Sequence, residues 1–138
     1  MPNGVDLILV DHENVQDLFE RFDATGDASI VGQVIDMLKA HDEAEMFALY
    51  PLAGVVLGDA KLVEHAMAAH TAVKHQIDVV SGLEGQPLVD AVALLRTLVR
   101  EHVADEEKTL LPALAAEASP AQLGGLGARV LQIKQRGG

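Results

Sequence analysis

Apolar residues recur along this chain at the spacing of one helix face, about 3.6 residues per turn. The pattern divides the sequence into four long segments and one shorter segment, with breaks near positions 25–27, 58–59, 82–87 and 119–120. Gly, Pro and Asp at these breaks are typical of helix ends and turns. Because each connection is only a few residues long, neighbouring helices should be antiparallel. The sequence therefore predicts an all-α fold, an up-down-up-down four-helix bundle with a short C-terminal fifth helix.

The length of 138 residues suits a single domain covering 1–138. We expect the bundle at about residues 5–117 and the fifth helix at about residues 119–136, interrupted near Gly124-Gly125. Ser119 is the predicted N-cap of that last helix, with Pro120 at its first position. Three Phe, one Tyr and no Trp also favour helix packing over a sheet sandwich.

Charge and composition exclude several classes of function. Twenty-one acidic residues against ten basic ones give a net charge of −11, which would repel a phosphate backbone, so no nucleic acid partner is expected. The absence of Cys excludes disulfides, thiolate metal sites and thiol catalysis. No stretch is long and apolar enough for a membrane span, and no signal peptide is recognisable. We expect a soluble, cytoplasmic protein that does not bind membranes.

Each of the four long apolar stripes is interrupted by a histidine, and two stripes also contain a glutamate on the same face. These inward polar residues are His12, His41, Glu45, His70, His102 and Glu106. Burying an ionised carboxylate in an apolar layer costs several kcal/mol unless it is paired or coordinated. A core with this pattern therefore indicates a site for cations.

The inward residues should also lie at one height along the bundle. In an antiparallel hairpin, two residues equally far from the turn are level, because each helix rises about 1.5 Å per residue. The midpoints of three inward pairs fall on the first, second and third predicted turns: His12 with His41, Glu45 with His70, and His70 with His102. The six side chains are therefore predicted to share one layer.

An internal repeat supports the same site. The segment HDEAEMFALYP, at 41–51, has the plan of HVADEEKTLLP, at 102–112, with Glu four positions after His and Pro six positions later. The His and Glu then lie on the same helix face about one turn apart. Pro51 and Pro112 should kink or end their helices. Nitrogen and oxygen ligands without sulfur suit iron first, with manganese or zinc less favoured and calcium disfavoured.

At these residues, over about 5–117, the sequence resembles the hemerythrin-like HHE cation-binding family. The resemblance implies two iron ions in an oxo- or hydroxo-bridged, non-haem centre inside a four-helix bundle. It also implies that the four inward histidines are terminal ligands and that Glu45 and Glu106 are bridging carboxylates. Members of this family bind or sense oxygen, handle nitric oxide or peroxide, or serve iron homeostasis.

One position departs from the oxygen-carrying members of that family. They have a fifth histidine one turn after the third-helix ligand, whereas this chain has Lys74 there and His75 beside it. Reversible oxygen transport is therefore not expected. With one histidine fewer, we expect an open coordination position, which metal catalysis requires. The sequence leaves open whether Tyr50, Lys74 or His75 completes the site. Tyr50 would approach the site if its helix kinks at Pro51, and His75 would if the third helix contains a π-bulge.

The leading hypothesis is a di-iron protein that binds or reacts with a small oxidant: hydrogen peroxide, oxygen or nitric oxide. Catalase-like peroxide scavenging is one form of it, and the sequence does not decide whether the protein is an enzyme. The alternatives are a non-enzymatic oxygen or redox sensor or iron-handling module, and a metal-free helical interaction domain. The Glu-x2-His spacing of ferritin-like sites and the His-Glu-x2-His motif of zinc proteases are both absent.

Overall fold

Helices account for nearly all of residues 3–137, the part of the chain that the computed structural model describes, and no strand occurs in that range. The bounds, in chain order, are α1 Gly4–Thr25, α2 Ala28–Ala44, a π-helical turn at Glu45–Leu49, α3 Tyr50–Leu57, α4 Ala60–Val80, α5 Gly85–Asp105, a second π-helical turn at Glu106–Leu110, α6 Leu111–Glu117 and α7 Pro120–Gly137. Four antiparallel rods, α1, α2 with α3, α4, and α5 with α6, form the bundle. The predicted fold class, with α7 as the fifth helix, is confirmed.

Two of the turns are built from a Gly-Asp pair, as the sequence predicts. Gly26 and Gly58 end their helices with φ of 67° and 62°, a left-handed conformation that glycine adopts without strain. The next residue then starts a new helix, because the carboxylates of Asp27 and Asp59 accept hydrogen bonds from backbone N–H groups of the first turn. These tight reversals fix the relative height of neighbouring rods.

Neither proline ends its helix, so of the two expected outcomes, a kink or an end, the end does not occur. Proline cannot donate to the carbonyl four residues earlier, and its ring crowds that carbonyl. In each of these two rods a π-helical turn ends two residues before the proline. The N–H of Tyr50 bonds to the carbonyl of Glu45, five residues back, and Leu111 bonds in the same way to Glu106. This widened turn lets both rods continue past Pro51 and Pro112.

The apolar core is split into two clusters by a polar layer. One cluster contains Phe19, Val34 and Leu95, near the first turn, and the other contains residues such as Ile8 and Leu49, near the second. Along every rod of the bundle, the residues between the two clusters include the inward polar ones predicted from the sequence. The fold therefore encloses the polar layer with apolar packing on both sides.

Helix α7 packs against α1 and against the rod formed by α2 and α3. It runs through Gly124-Gly125 without the predicted interruption. Ser119 is its N-cap as predicted: the hydroxyl accepts from the Gln122 N–H at 3.1 Å, while Gln122 Oε1 accepts from the Ser119 N–H at 2.8 Å. Its buried face contributes Val130 and neighbours to the core. None of the helices described is both long and apolar enough to cross a membrane.

Candidate metal centre

Six polar side chains from four rods meet in the layer between the two apolar clusters. Each residue is buried, and the most exposed of them retains only 8% of its surface. They are His12 from α1, His41 from α2, Glu45 from the first π-helical turn, His70 from α4, His102 from α5 and Glu106 from the second π-helical turn. The structure thus brings together all six residues that the sequence singled out.

Four of these residues form a first cluster, which we call the first subsite: His12, His41, Glu45 and Glu106. Each offers one ligand atom, and these atoms all lie within 4.8 Å of one another. His12 Nε2 is 3.3 Å from Glu106 Oε1, and His41 Nε2 is 3.1 Å from Glu45 Oε1. These approaches lack hydrogen-bond geometry: both Nε2 atoms, Glu45 Oε2 and Glu106 Oε1 are buried without a hydrogen-bond partner. Unpartnered nitrogen and oxygen atoms converging in this way suit a bound cation.

A second cluster, the second subsite, contains His70 and His102 with the same two glutamates. His70 Nε2 is 2.5 Å from Glu45 Oε1, and His102 Nε2 is 3.2 Å from that oxygen and 3.1 Å from Glu106 Oε2. Glu45 and Glu106 therefore lie between the two pairs of histidines. This sharing is the arrangement that two bridging carboxylates require.

Of the three residues that the sequence left as candidates to complete the site, Tyr50 reaches the polar layer. It follows the first π-helical turn and is 3% exposed. Its hydroxyl donates to Glu106 Oε2 at 2.5 Å and lies 3.3 Å from His102 Nε2. Lys74 and His75 are exposed on α4, which shows no π-bulge. The phenol therefore adjoins the second subsite and accompanies the two histidines there.

Carboxylates outside the layer orient three of the histidines. His12 Nδ1 donates to Glu107 and His41 Nδ1 to Asp11, both at 2.9 Å, and His70 Nδ1 donates to Asp42. Because an ionised carboxylate only accepts, each Nδ1 carries a proton, and Nε2, which faces the glutamates, is the nitrogen that would bind a cation.

Of these three carboxylates, Asp11 is the buried one, and it was not singled out from the sequence. The available signal was its position three residues after Ile8 and four before Val15, inside the apolar stripe of α1. His65 lies outside the layer: it is exposed and lies 3.2 Å from Asp105.

The carboxylates of the layer favour positive charge on their neighbours. Burial lowers the pKa of His12, but the nearby carboxylates of Glu106 and Glu45 outweigh it and raise that pKa to about 9. Burial also opposes the charged form of His102, yet the same two glutamates raise its pKa to about 10. Burial raises the pKa of Glu45, but the positive charge of His41 and several hydrogen bonds hold it well below the usual value. Without metal ions, protons on the imidazoles balance the carboxylates, and ligated cations would displace those protons.

A cavity of about 390 Å³ connects the layer with the surface. Its walls are largely apolar, with Val73 and Val99 among them, and it reaches His41 and His70. Its exposed lining residues, which include Lys74, come from α2, the first π-helical turn and α4, so its mouth lies between the rod of α2 and helix α4. Small molecules therefore have a path to the polar layer through apolar surroundings.

Comparisons with known proteins agree with this architecture. The family model for the hemerythrin HHE cation binding domain matches residues 3–114. A crystal structure of a hemerythrin HHE cation binding domain-containing protein from Mycobacterium kansasii is similar, with a TM-score of 0.84. The similarity covers 99% of this chain and 88% of that one at 19% sequence identity, so it establishes a shared fold. No curated protein matches the chain significantly.

Proposed function

This chain belongs to the hemerythrin HHE cation-binding family, and we propose that its polar layer holds two iron ions. His12 and His41 would hold one ion, His70 and His102 the other, with Glu45 and Glu106 shared between them. One observation carries the proposal: two clusters of potential ligand atoms share both glutamates, and four buried atoms of the first cluster have no hydrogen-bond partner. Unpaired buried polar atoms are costly, and cations would satisfy them.

Iron is the metal we favour over manganese and zinc. The candidate ligands are imidazoles and carboxylates only, a set that suits iron, manganese or zinc and excludes the thiolate chemistry of many zinc sites. A bound iron pair would supply redox chemistry toward a small oxidant. We therefore propose that the protein binds or reacts with hydrogen peroxide, oxygen or nitric oxide, with catalase-like peroxide scavenging as its most specific form.

The surrounding residues have defined roles in this proposal. The apolar cavity admits small molecules and limits the access of bulk water. Tyr50 keeps its proton, because burial and then the negative charges of Glu45 and Glu106 raise its pKa. Its hydroxyl therefore remains a hydrogen-bond donor beside the second subsite. Lys74, at the place of the fifth histidine of oxygen carriers, lines the cavity without joining the polar layer, which favours chemistry over reversible oxygen carriage.

A non-enzymatic sensor or iron-handling module is the second candidate function. It is favoured by the contact between the fifth helix and the layer, since Lys134 of α7 bonds to Asp11, which bonds to His41. Through this contact, a change at the metal site would alter how α7 packs on the bundle. For either function, the net charge of −11 argues against a nucleic acid partner, and we propose a cytoplasmic location.

Metal analysis of the purified protein, with a visible absorption spectrum, tests the proposal. We expect two irons per chain, one for each cluster, and a charge-transfer band. A folded, colourless protein that takes up no metal would contradict it and favour the metal-free interaction domain. Peroxide disproportionation at substoichiometric protein then separates the functions: turnover supports the enzyme, and metal binding without turnover supports the sensor or iron-handling module.

A further inference from the structure

One lysine of the fifth helix connects α7 to the polar layer. Lys134 Nζ donates to Oδ1 of Asp11, whose Oδ2 accepts from His41 Nδ1 at 2.9 Å. His41 Nε2 in turn lies 3.1 Å from Glu45 Oε1. A continuous series of contacts therefore runs from a helix outside the four-helix bundle to a carboxylate shared by both subsites.

Burial makes Asp11 depend on this lysine. The side chain of Asp11 is 4% exposed, so water has little access to its oxygens. A buried carboxylate costs several kcal/mol unless its oxygens are paired. Here one oxygen is paired with Lys134 and the other with His41, so both oxygens of Asp11 have a partner. Without the ammonium group, one oxygen would have neither a cation nor bulk water as a partner.

The orienting carboxylates of the other histidines differ in this respect. The side chain of Glu107, beside His12, is 43% exposed, and that of Asp42, beside His70, is 28% exposed. Water can hydrogen-bond to their free oxygens, so neither requires a fixed cation. The dependence on α7 is therefore specific to His41 and to the first subsite.

We propose that Lys134 is a positioning residue through which α7 sets the metal affinity of the first subsite. It holds Asp11, and Asp11 fixes the ring of His41 with Nε2 toward the bound ion. The two ions are therefore held differently: the first subsite requires α7 to be docked, and the second does not. This inference rests on the proposed di-metal site.

Metal release from the loaded, full-length protein tests the inference. Iron(II)-loaded protein is mixed with a coloured iron chelator, and the two release phases are followed for wild type, Lys134→Met and Lys134→Arg. Loss of an orienting partner typically lowers metal affinity by about 10–100-fold. We expect Lys134→Met to accelerate one phase by that factor and leave the other unchanged. Lys134→Arg, which keeps the charge, should release iron as wild type does.

Arg136→Met is the matched control, because it removes one positive charge from an exposed position of the same helix. Release as in wild type is expected. The inference would be overturned if Arg136→Met and Lys134→Met accelerated release equally. It would also be overturned if Lys134→Met accelerated both phases equally or left both unchanged. A wild-type protein that takes up no metal would instead overturn the proposed function, and this inference with it.

A double-mutant cycle shows whether Lys134 acts through Asp11, and it provides a second variant should Lys134→Met fold poorly. Asp11→Asn removes the buried charge and retains an oxygen that accepts from His41. In that background, Lys134→Met should change the release rate by less than about twofold, since the two residues belong to one contact. A full effect of Lys134→Met in the Asp11→Asn protein would contradict the proposed route.

Discussion

The phenol of Tyr50 donates a hydrogen bond of 2.5 Å to Glu106, a residue of the opposite half of the internal repeat. The repeat aligns Tyr50 with Leu111, a buried leucine of the core. Both residues directly follow a π-helical turn that begins at a glutamate of the polar layer. Only one of the two halves thus provides a phenol, so the two subsites differ in their surroundings although their histidines and glutamates follow one plan.

Tyr50→Phe should alter the second subsite more than the first. The change removes the hydroxyl beside His102 and Glu106 while preserving the apolar ring. We expect a shifted visible spectrum of the iron-loaded protein and about tenfold weaker binding of one of the two ions. Titration with iron, read by absorption, measures both. An unchanged spectrum, with both affinities as in wild type, would show that the phenol does not influence the centre.

Glu45→Ala or Glu106→Ala should abolish the paired centre, because each carboxylate belongs to both clusters. Iron content should fall to one ion per chain or less. His65→Ala is the control, because that histidine is exposed and contacts only Asp105 among the acidic groups near it. Equal iron loss in all three variants, measured after identical loading, would mean that the inward layer is not the binding site.

The metal-free protein should lose stability as the pH rises above neutrality. The pKa values of His12, His41 and His102 are raised from 6.5 to about 9, 10 and 10. Groups with raised pKa values stabilise the fold fully below about pH 6.5, and this contribution disappears as the pH passes the folded values. The lowered pKa of Glu45 gives the opposite trend, a loss of stability as the pH falls below about 4.5. Urea unfolding should therefore show a maximum near about pH 5 to 6.5.

Bound metal should offset the loss of stability that the metal-free protein shows at alkaline pH. Cations bind neutral imidazoles, so binding releases protons and strengthens as the pH rises. The stability difference between loaded and metal-free protein should consequently grow from pH 6 to pH 9. Parallel unfolding curves of the two forms across that range check the sign. A difference that is constant or shrinks with pH would contradict histidine ligation.

Val73→Trp should slow the entry of small ligands without removing the metals. Val73 lines the cavity between α2 and α4, and a larger side chain there would fill part of its 390 Å³. Azide, mixed with the ferric protein and followed by absorption, should bind several-fold more slowly. The control is Val89→Trp, at a position on α5 that is 43% exposed and does not line the cavity. Equal rates in the two variants would place the entry route elsewhere.

Two glycine substitutions should affect stability in opposite directions. A Cβ atom at Gly4 would overlap the side chain of Leu126, so Gly4→Ala should weaken the packing of α7 on α1 by about 1–3 kcal/mol. Gly32 lies inside α2 with no atom near its missing Cβ, so Gly32→Ala should stabilise the protein by about 0.5–1 kcal/mol. Urea unfolding of the metal-free variants measures both changes. Stabilisation by Gly4→Ala would show that α7 is not seated against α1.

Much of the fold followed from local information. Helix periodicity and the Gly-Asp turns depend on neighbouring residues, so the sequence indicated four rods and their ends. Equal distances from each turn then indicated which residues share a height, because the helical rise is constant. The meeting of His12, His41 and His70 in one layer agrees with that arithmetic. The π-helical turns before Pro51 and Pro112 did not follow, since such a turn depends on packing as well as on the proline.

The sequence by itself determined the helices, their order, their turns and the inward row of histidines and glutamates, because these depend on residue type and on short, regular spacings. Tertiary structure decided that Tyr50 faces the layer, since a one-residue widening of the backbone turns its side chain inward. It also decided that Lys134 meets Asp11, a residue 123 positions away. Such a contact depends on how α7 docks against α1 and α2, and docking is a property of the packed surfaces of several helices rather than of any local pattern.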